Sequence, residues 1–470
     1  MSTAPKRKRH LPTLDSLGSL REDGSRRIIH PAEVTGRWTR LRRALFVVLI
    51  AVLVGLPWIR IGGKPAVLLD IPGRHFYLFG AAFGAEHTYL TFFGITGLGF
   101  GLIFLTSLVG RTYCGFLCPQ TVFVEGVYRR IEGWFEGKPT ERRKLDQRPW
   151  DLDKLLRRGG KWAAYLLVSL GIAHVVLGYF VPVREMAQLV MDKPAAHPEA
   201  FAWVMGVTAL VAFDFGWFRE QFCTILCPYG RLQGALIDDD TVHVGYDARR
   251  GEPRGKPSDK SAGACVDCFR CVEVCPTGID IRNGGAQLEC VSCLACIDAC
   301  DDVMDSLGRE RGLVRQDSVK GFAGLARRVL RPRVVVYGIL GIIGLSVMTF
   351  SLRHVEPFDV KLLRGKGVPY TLAGDDVENV LRVRVASSSA TRVKVTASAP
   401  GATSVLLPIP ELAVSADQAT EVPLLLRGPR AAFSGKQRVK VTARDEKGRE
   451  VSAEAVMLGP DLGAAPAASP

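Results

Sequence analysis

Twelve cysteines stand in a chain of 470 residues, and all of them fall into three groups. Two runs, "CVDCFRCVEVCP" with Cys265, Cys268, Cys271 and Cys275, and "CVSCLACIDAC" with Cys290, Cys293, Cys296 and Cys300, repeat the spacing C-x2-C-x2-C-x3-C. This is the spacing of a bacterial two-cluster ferredoxin. Two-residue gaps let a tight loop aim three thiolates at three corners of one cubane, and the last cysteine of each run serves the other cluster. The spacing therefore predicts one [4Fe-4S] cluster on Cys265, Cys268, Cys271 and Cys300, and a second on Cys290, Cys293, Cys296 and Cys275. Zinc knuckles and disulfides are weaker alternatives, the latter because the cytoplasm is reducing. Asp301 follows Cys300 where ferredoxins usually carry proline. Between the runs, "IDIRNGGAQLE" predicts a hairpin around an Asn283-Gly284 turn.

The remaining four cysteines form two copies of C-x3-C-P: Cys114, Cys118 and Pro119 in "RTYCGFLCPQ", and Cys223, Cys227 and Pro228 in "FREQFCTILCPYG". Side chains four apart on a helix share one side, so each pair can aim both sulfurs into one space. The proline breaks helical geometry at the cysteine before it and suits the first turn of a new helix. At such a helix start, unpaired amides and the dipole favour a thiolate, with Arg111 and Arg219 nearby to favour it further. The pairs are then soft ligands for Cu(I) or zinc, or dithiols able to pass electrons. Small apolar packing is the bland reading, weakened by the repetition.

The elements that must position these cysteines are membrane spans. Uncharged runs at Ala44–Ile59, Thr88–Gly110, Trp162–Val183 and Val334–Leu352, and one at Ala200–Phe218 holding only Asp214, predict five transmembrane helices. Lysine and arginine are dense before the first span and between the second and third, and sparse in the intervening loops. That alternation places the N-terminus and all twelve cysteines on the cytoplasmic side. It also accounts for the net charge of +14 without a nucleic-acid partner. Asp214 is expected to pair with Arg219. His174, inside the third span, could hold haem, metal or quinol, though hydrogen-bonded packing is the favoured reading. His75 and His87 are a weak metal signal.

The resulting domains are a cytoplasmic arm at 1–40, a membrane domain at 41–240 with four helices and both CxxxCP motifs, and a ferredoxin-like α+β domain at 241–330. A fifth transmembrane helix at 334–352 and a periplasmic domain at 355–460 follow. In the last, "LRVRVAS", "RVKVTAS", "RVKVTAR" and "EVSAEAV" alternate apolar and polar residues, which predicts an Ig-like antiparallel β-sandwich.

With its paired CxxxCP motifs, its double ferredoxin run, the following "ACDDVMDSLGRERGLVR" and the terminal sandwich in this order, the chain resembles the CcoG/FixG/RdxA family. These are membrane-anchored polyferredoxins of cbb-type cytochrome c oxidase maturation, which also carry Asp after the last cluster cysteine. The resemblance implies a multi-pass protein of the bacterial inner membrane that reduces Cu(II) to Cu(I) for oxidase assembly. Cys114, Cys118, Cys223 and Cys227 would be its copper-binding and catalytic cysteines, the other eight its cluster ligands. The implied partners are membrane lipid, copper ion as substrate or transient ligand, a copper-exporting ATPase or copper chaperone, and oxidase assembly factors. The sequence names no electron donor, and a homodimer is compatible with it. Two rival readings stand beside this one. The first is a quinol-oxidising subunit feeding a periplasmic reductase, and the second is a non-enzymatic assembly scaffold.

Overall fold

The computed structural model describes residues 28–71, 75–79, 81–84, 88–259, 261–285, 287–353, 358–364, 368, 370–387, 391–415, 418–430 and 438–459. They fall into two compact units, one drawn chiefly from residues up to Met348 and one chiefly from Thr349 onward. His87 lies outside the described residues, and so does the arm before Ile28.

In the first unit, five helices are long and apolar enough to cross a membrane: Arg37–Trp58, Thr91–Val109, Leu152–Leu177, Pro198–Phe218 and Pro332–Ser351. The first begins well before the predicted Ala44, so residues 37–40 belong to a helix and not to the arm. The reason is a cap supplied from far along the chain. The Asp298 carboxylate accepts hydrogen bonds from the Trp38 and Thr39 amides (3.3 and 2.7 Å) and from the Thr39 hydroxyl (2.7 Å). A carboxylate there satisfies amides that have no partner within the helix and sits at the positive end of its dipole. The third helix also starts early, because the Asp151 carboxylate accepts from the Lys154 amide at 2.9 Å. The second and fifth helices cross closely through facing glycines. A Cβ at Gly344 would stand 2.8 Å from Gly97 Cα, and one at Gly341 would stand 3.2 Å from Gly101 N. Such small-residue seams let helix backbones approach without a cavity.

The ferredoxin-like region has one antiparallel strand pair, His243–Tyr246 with Val314–Asp317. Its helices include Arg270–Glu273 and Ala295–Ser306. Among the described residues around Asn283-Gly284 the expected hairpin does not form. Ile281–Asn283 forms a 3-10 turn instead, because the Asp280 carboxylate accepts from the Arg282 amide and guanidinium, both at 2.9 Å. Asp301 caps a loop: its carboxylate accepts from the Gly312 amide at 3.0 Å. Arg309 in the same loop donates to the Gly263 and Ala264 carbonyls just ahead of Cys265.

The second unit is built of two antiparallel sheets. In one, Gln418–Pro429 lies between Ser404–Leu406 and Asp376–Ser387, and Asp376–Ser387 also pairs with Phe358–Arg364. In the other, the order is Glu411–Val414, Thr391–Ser398, Arg438–Asp445, Glu450–Val456. Alternation puts Val383, Val385, Val393, Val439 and Val441 into a closed apolar core with Leu424. Gln418–Pro429 was hidden from the alternation pattern by its continuous "PLLL" run, which a strand at the centre of a sandwich tolerates.

Candidate functional site

Both ferredoxin runs fold into the same loop. Residues flanking the second cysteine of each run have left-handed backbones: Asp267 and Phe269 (φ 55° and 57°) around Cys268, Ser292 and Leu294 (φ 53° and 62°) around Cys293. For bulky side chains this is strained, at roughly 1–3 kcal/mol per residue. Alternating handedness curls a loop so that its amides point inward, the arrangement that cradles anionic iron–sulfur centres. Each loop then runs directly into a helix, with Phe269 and Leu294 at the respective helix starts.

The structure brings Cys265, Cys268, Cys271 and Cys300 to one cavity, walled by Tyr246, Met304 and Leu313. It brings Cys275, Cys290, Cys293 and Cys296 to a second, with Cys271 on its wall beside Val244 and Ile281. Each cavity thus holds three cysteines of one run with the last cysteine of the other, and Cys271 borders both. Among the described residues no three His, Cys, Asp or Glu side chains converge on a single ion. Thiols spread around a cavity fit a multi-iron cubane better than a lone zinc. Burial pushes Cys290 and Cys300 up to about 12, and does the same to Cys271 against the pull of Arg282. Thiolates in such surroundings need a cationic centre to hold them deprotonated.

The first CxxxCP motif is built against the second of these cavities. Gly110 (φ 60°) turns the chain at the end of the second long helix, and Thr112–Phe116 forms a short helix. A Cβ at Gly115 would stand 2.5 Å from the Ser292 carbonyl oxygen and 2.7 Å from that of Val291. Only glycine allows this approach, and it carries Cys114 into one packed group with Val291, Cys293 and Ala295. Phe116 enters the ferredoxin core beside Cys265 and Leu294. Cys118 is the N-cap of the next helix, with Pro119 in its first turn.

The second motif joins the first. Cys223 lies in the wide turn Phe222–Leu226, and Cys227 caps the helix Pro228–Leu236. Tyr229 packs edge-on against Tyr113, ring centres 6.2 Å apart, and Gln233 donates to Cys114 Sγ at 3.4 Å. Arg111, buried and with no partner for its Nε among the described residues, crosses from the first motif to the second. A Cβ at Gly230 would meet the Cys223 carbonyl oxygen at 2.7 Å and Arg111 Nη2 at 3.0 Å. The four thiols share one electrostatic neighbourhood: burial pushes Cys223 up to about 12, Cys118 and Cys114 add to this, and Arg111 opposes it. Cys118 is likewise raised by burial, against the amides of Gln120 and Thr121. The expectation that a helix start favours the Cys118 thiolate is therefore corrected for the thiol alone, since desolvation outweighs the amides.

Arg219 does not serve the thiols either, nor does it pair with Asp214. It donates to Glu132 at 2.5 Å, to the Tyr165 hydroxyl at 2.8 Å and to the Gly216 carbonyl at 3.0 Å. These bonds hold its own left-handed backbone (φ 50°) at the break before Cys223. Asp214 accepts instead from Gln120 Nε2 at 3.2 Å. His174 hydrogen-bonds the Leu170 carbonyl at 2.8 Å, the packing role favoured above. Gly115, Asp298, Tyr229 and Arg42, which donates to the Cys293 carbonyl at 3.1 Å, are site residues that spacing did not reveal. Nothing in their local sequence marks them, because their partners lie far along the chain.

The fold and the cysteine loops define a ferredoxin-type iron–sulfur protein with several apolar helices. Residues 218–319 match a family described as a 4Fe-4S dicluster domain, and residues 348–460 match the IG-like fold at the C-terminus of FixG. Residues 90–140 and 197–238 match a 4Fe-4S binding domain. The nitrogen fixation protein FixG of Rhizobium meliloti is 34% identical over 400 residues, 74% of each chain. Protein RdxA of Cereibacter sphaeroides is 31% identical over 383 residues, 77% of this chain and 80% of that one. A solved FixG-related protein of Vibrio parahaemolyticus is 14% identical, covering 22% of this chain and 98% of its own, with a TM-score of 0.20. The chain belongs to the FixG/RdxA family.

Proposed function

We propose that the chain is a membrane-bound iron–sulfur oxidoreductase that reduces Cu(II) to Cu(I) at Cys114, Cys118, Cys223 and Cys227, for assembly of a cbb-type oxidase. One observation carries this reading: Gly115 seats the first CxxxCP helix on the Val291 and Ser292 carbonyls, so Cys114 packs beside the inner cysteine cavity. When bound, two [4Fe-4S] clusters on the eight run cysteines would supply single electrons. The chain's own residues do the rest. Cys114 and Cys118 meet Cys223 and Cys227 through Arg111, which offsets part of the thiolate charge. Soft thiolates bind Cu(I) in preference to Cu(II), which draws the one-electron reduction forward, and they release their protons as metal binds. A one-electron donor in the cytoplasm, or a quinol, would replace the electron spent. The N-terminus and ferredoxin region would lie in the cytoplasm and the sandwich in the periplasm, with Cu(I) passed to a copper-exporting ATPase or a chaperone.

The test uses full-length protein, purified without oxygen and reduced, then challenged with Cu(II) in the presence of a Cu(I) chelator. Cys114, Cys118, Cys223 and Cys227 changed together to serine should abolish chelatable Cu(I) while iron content stays at the wild-type level. Unchanged Cu(I) formation would remove these residues from the reaction.

A second reading is favoured by the 4Fe-4S binding description of residues 90–140 and 197–238, whose cysteines are these same four. On it they would hold a third cluster. The quadruple variant would then lose a third of its iron, an outcome the copper reading does not allow.

A further inference from the structure

A cavity of about 240 Å³ opens beside the start of the first long helix, lined by Arg42, Arg43, Arg129, Arg130 and Arg142. Glu33 and Glu125 are the acids on its wall. Arg142 is committed to Glu132 at 3.1 Å. Arg129 reaches Glu125 at 2.9 Å through Nε, lies 3.8 Å from Glu220 and donates Nη2 to the Pro276 carbonyl at 3.2 Å, yet its Nη1 is buried with no hydrogen-bond partner. Arg42 gives Nη1 to the Cys293 carbonyl and lies 3.7 Å from Glu125, and its Nε is likewise buried and unpartnered. Among the described residues Arg43 and Arg130 make no ion pair. Buried donors and surplus positive charge are expensive unless an anion meets them.

The cavity is not purely basic. Phe46, Val47 and Ile50 continue its wall along the first helix, and Ile50 lies roughly 10 Å beyond Arg43 at 1.5 Å per residue. Val47 is 68% exposed on the outer face of this apolar helix. A neutral quinol head would leave the arginines unmatched, and a soluble nucleotide would leave the apolar wall unused. We propose that this cavity binds a phosphate-headed anionic membrane lipid, its phosphate between Arg42 and Arg129 and its acyl chain along Phe46 and Ile50. Basic pockets between membrane helices take such head groups. Val274, Pro276 and Ala295, neighbours of Cys275 and Cys296, line the same cavity, and Arg129 donates to the Pro276 carbonyl at 3.2 Å. The bound anion therefore sits against the inner cysteine loop, ties it to the first helix, and makes reduction of a cluster held there harder. The site does not depend on copper chemistry.

The experiment is lipid retention by full-length protein exchanged into phosphatidylcholine bilayers with rising phosphatidylglycerol, read by native mass spectrometry. Wild type should hold phosphatidylglycerol in preference to phosphatidylcholine. The pair Arg43→Gln and Arg130→Gln, which touches no cysteine loop, should weaken this about tenfold, and Arg129→Gln should do the same. Iron content reports that each variant has folded. Phosphatidylglycerol should also move the midpoint of one iron–sulfur signal to a more negative potential in wild type and not in the variants. Equal retention of the two lipids, or retention unchanged in the variants, would overturn the proposal. Inorganic phosphate binding to delipidated protein with the same arginine dependence, and displacing the lipid at millimolar concentration, would replace the lipid with a soluble anion.

Discussion

Around Cys268 the chain is open: the cysteine is exposed, and Phe269 beside it is 48% exposed under the Arg282 guanidinium. Around Cys293, its counterpart in the other run, the chain is closed. Cys293 and Leu294 are buried, Arg42 grips the Cys293 carbonyl, and Gly115 lies on the Ser292 carbonyl. The two loops share their spacing and their left-handed residues, so the difference owes nothing to local sequence. It comes from what is packed outside them. One cavity is left accessible to a soluble donor, and the other is enclosed by the elements that carry the CxxxCP cysteines. On the proposed function, that asymmetry would give electron flow a direction, from the open loop to the closed one and on to the paired thiols.

The largest test of the comparison is Arg219→Met. Glu132 is buried, which alone would raise its carboxyl, but Arg219 outweighs burial and holds it down to about 2. Removing one member of a buried pair costs about 3–5 kcal/mol, and because Arg142 stays on Glu132 at 3.1 Å the loss should fall at the lower end, read as a lower midpoint of thermal or denaturant unfolding. The support beneath the closed cavity should fail first, so its iron–sulfur signal should fall while the open one persists. The pH dependence follows the same pair. A carboxyl depressed below its unfolded value of about 4.3 stabilises the fold above that pH, and this contribution disappears as pH falls toward 2. The variant should show a smaller acid-side loss between pH 4 and 2, because Arg142 stays paired with the carboxylate.

A smaller effect is expected for Gly115→Ala, whose new methyl meets backbone carbonyls that cannot rotate away. Separating the motif helix from the loop should cost about 1–3 kcal/mol. It should broaden the iron–sulfur signal of the closed loop and slow Cu(I) formation, with the open loop unchanged. Equal damage to both signals would erase the distinction drawn between the loops.

Asp298→Ala removes the cap on the first long helix, at about 1–2 kcal/mol. Fraying at Trp38 and Thr39 should appear as faster amide exchange there. Least of all should come from Arg438→Ala in the sandwich. Its pair with Glu454, at 3.3 Å, is exposed on both sides and is worth at most about 1 kcal/mol. The variant should leave all iron–sulfur signals untouched.

Much of this was legible in the sequence because its causes are local. The two-residue gaps between cysteines, Pro119 and Pro228 at helix starts, and the alternation of "LRVRVAS" and "EVSAEAV" each carry their own physical reason within a few residues. The grouping of Cys300 with the first run was read from the two-cluster ferredoxin spacing, in which the last cysteine of each run serves the other cluster, and Cys300 lines the same cavity as Cys265, Cys268 and Cys271. What was not legible depends on residues remote in sequence. Asp298 looks like a stray acid in a cysteine run until it meets Thr39, and Gly115 looks like a filler until Ser292 is placed beside it. Arg219 was expected to pair with Asp214, five residues before it, but its guanidinium goes to Glu132 and reaches the Tyr165 hydroxyl as well. The helix-start argument for Cys118 failed for a related reason: it counted the amides and not the desolvation.

If reducing equivalents leave the ferredoxin-like region through the paired thiols, freeze-quench electron paramagnetic resonance on reduced full-length protein mixed anaerobically with Cu(II) will show it. In wild type the Cu(II) and reduced iron–sulfur signals should vanish together, with one Cu(I) formed for each cluster oxidised. With Cys114, Cys118, Cys223 and Cys227 all replaced by serine and iron retained, both signals should persist. Iron–sulfur signals that disappear at the wild-type rate in that variant would contradict this route.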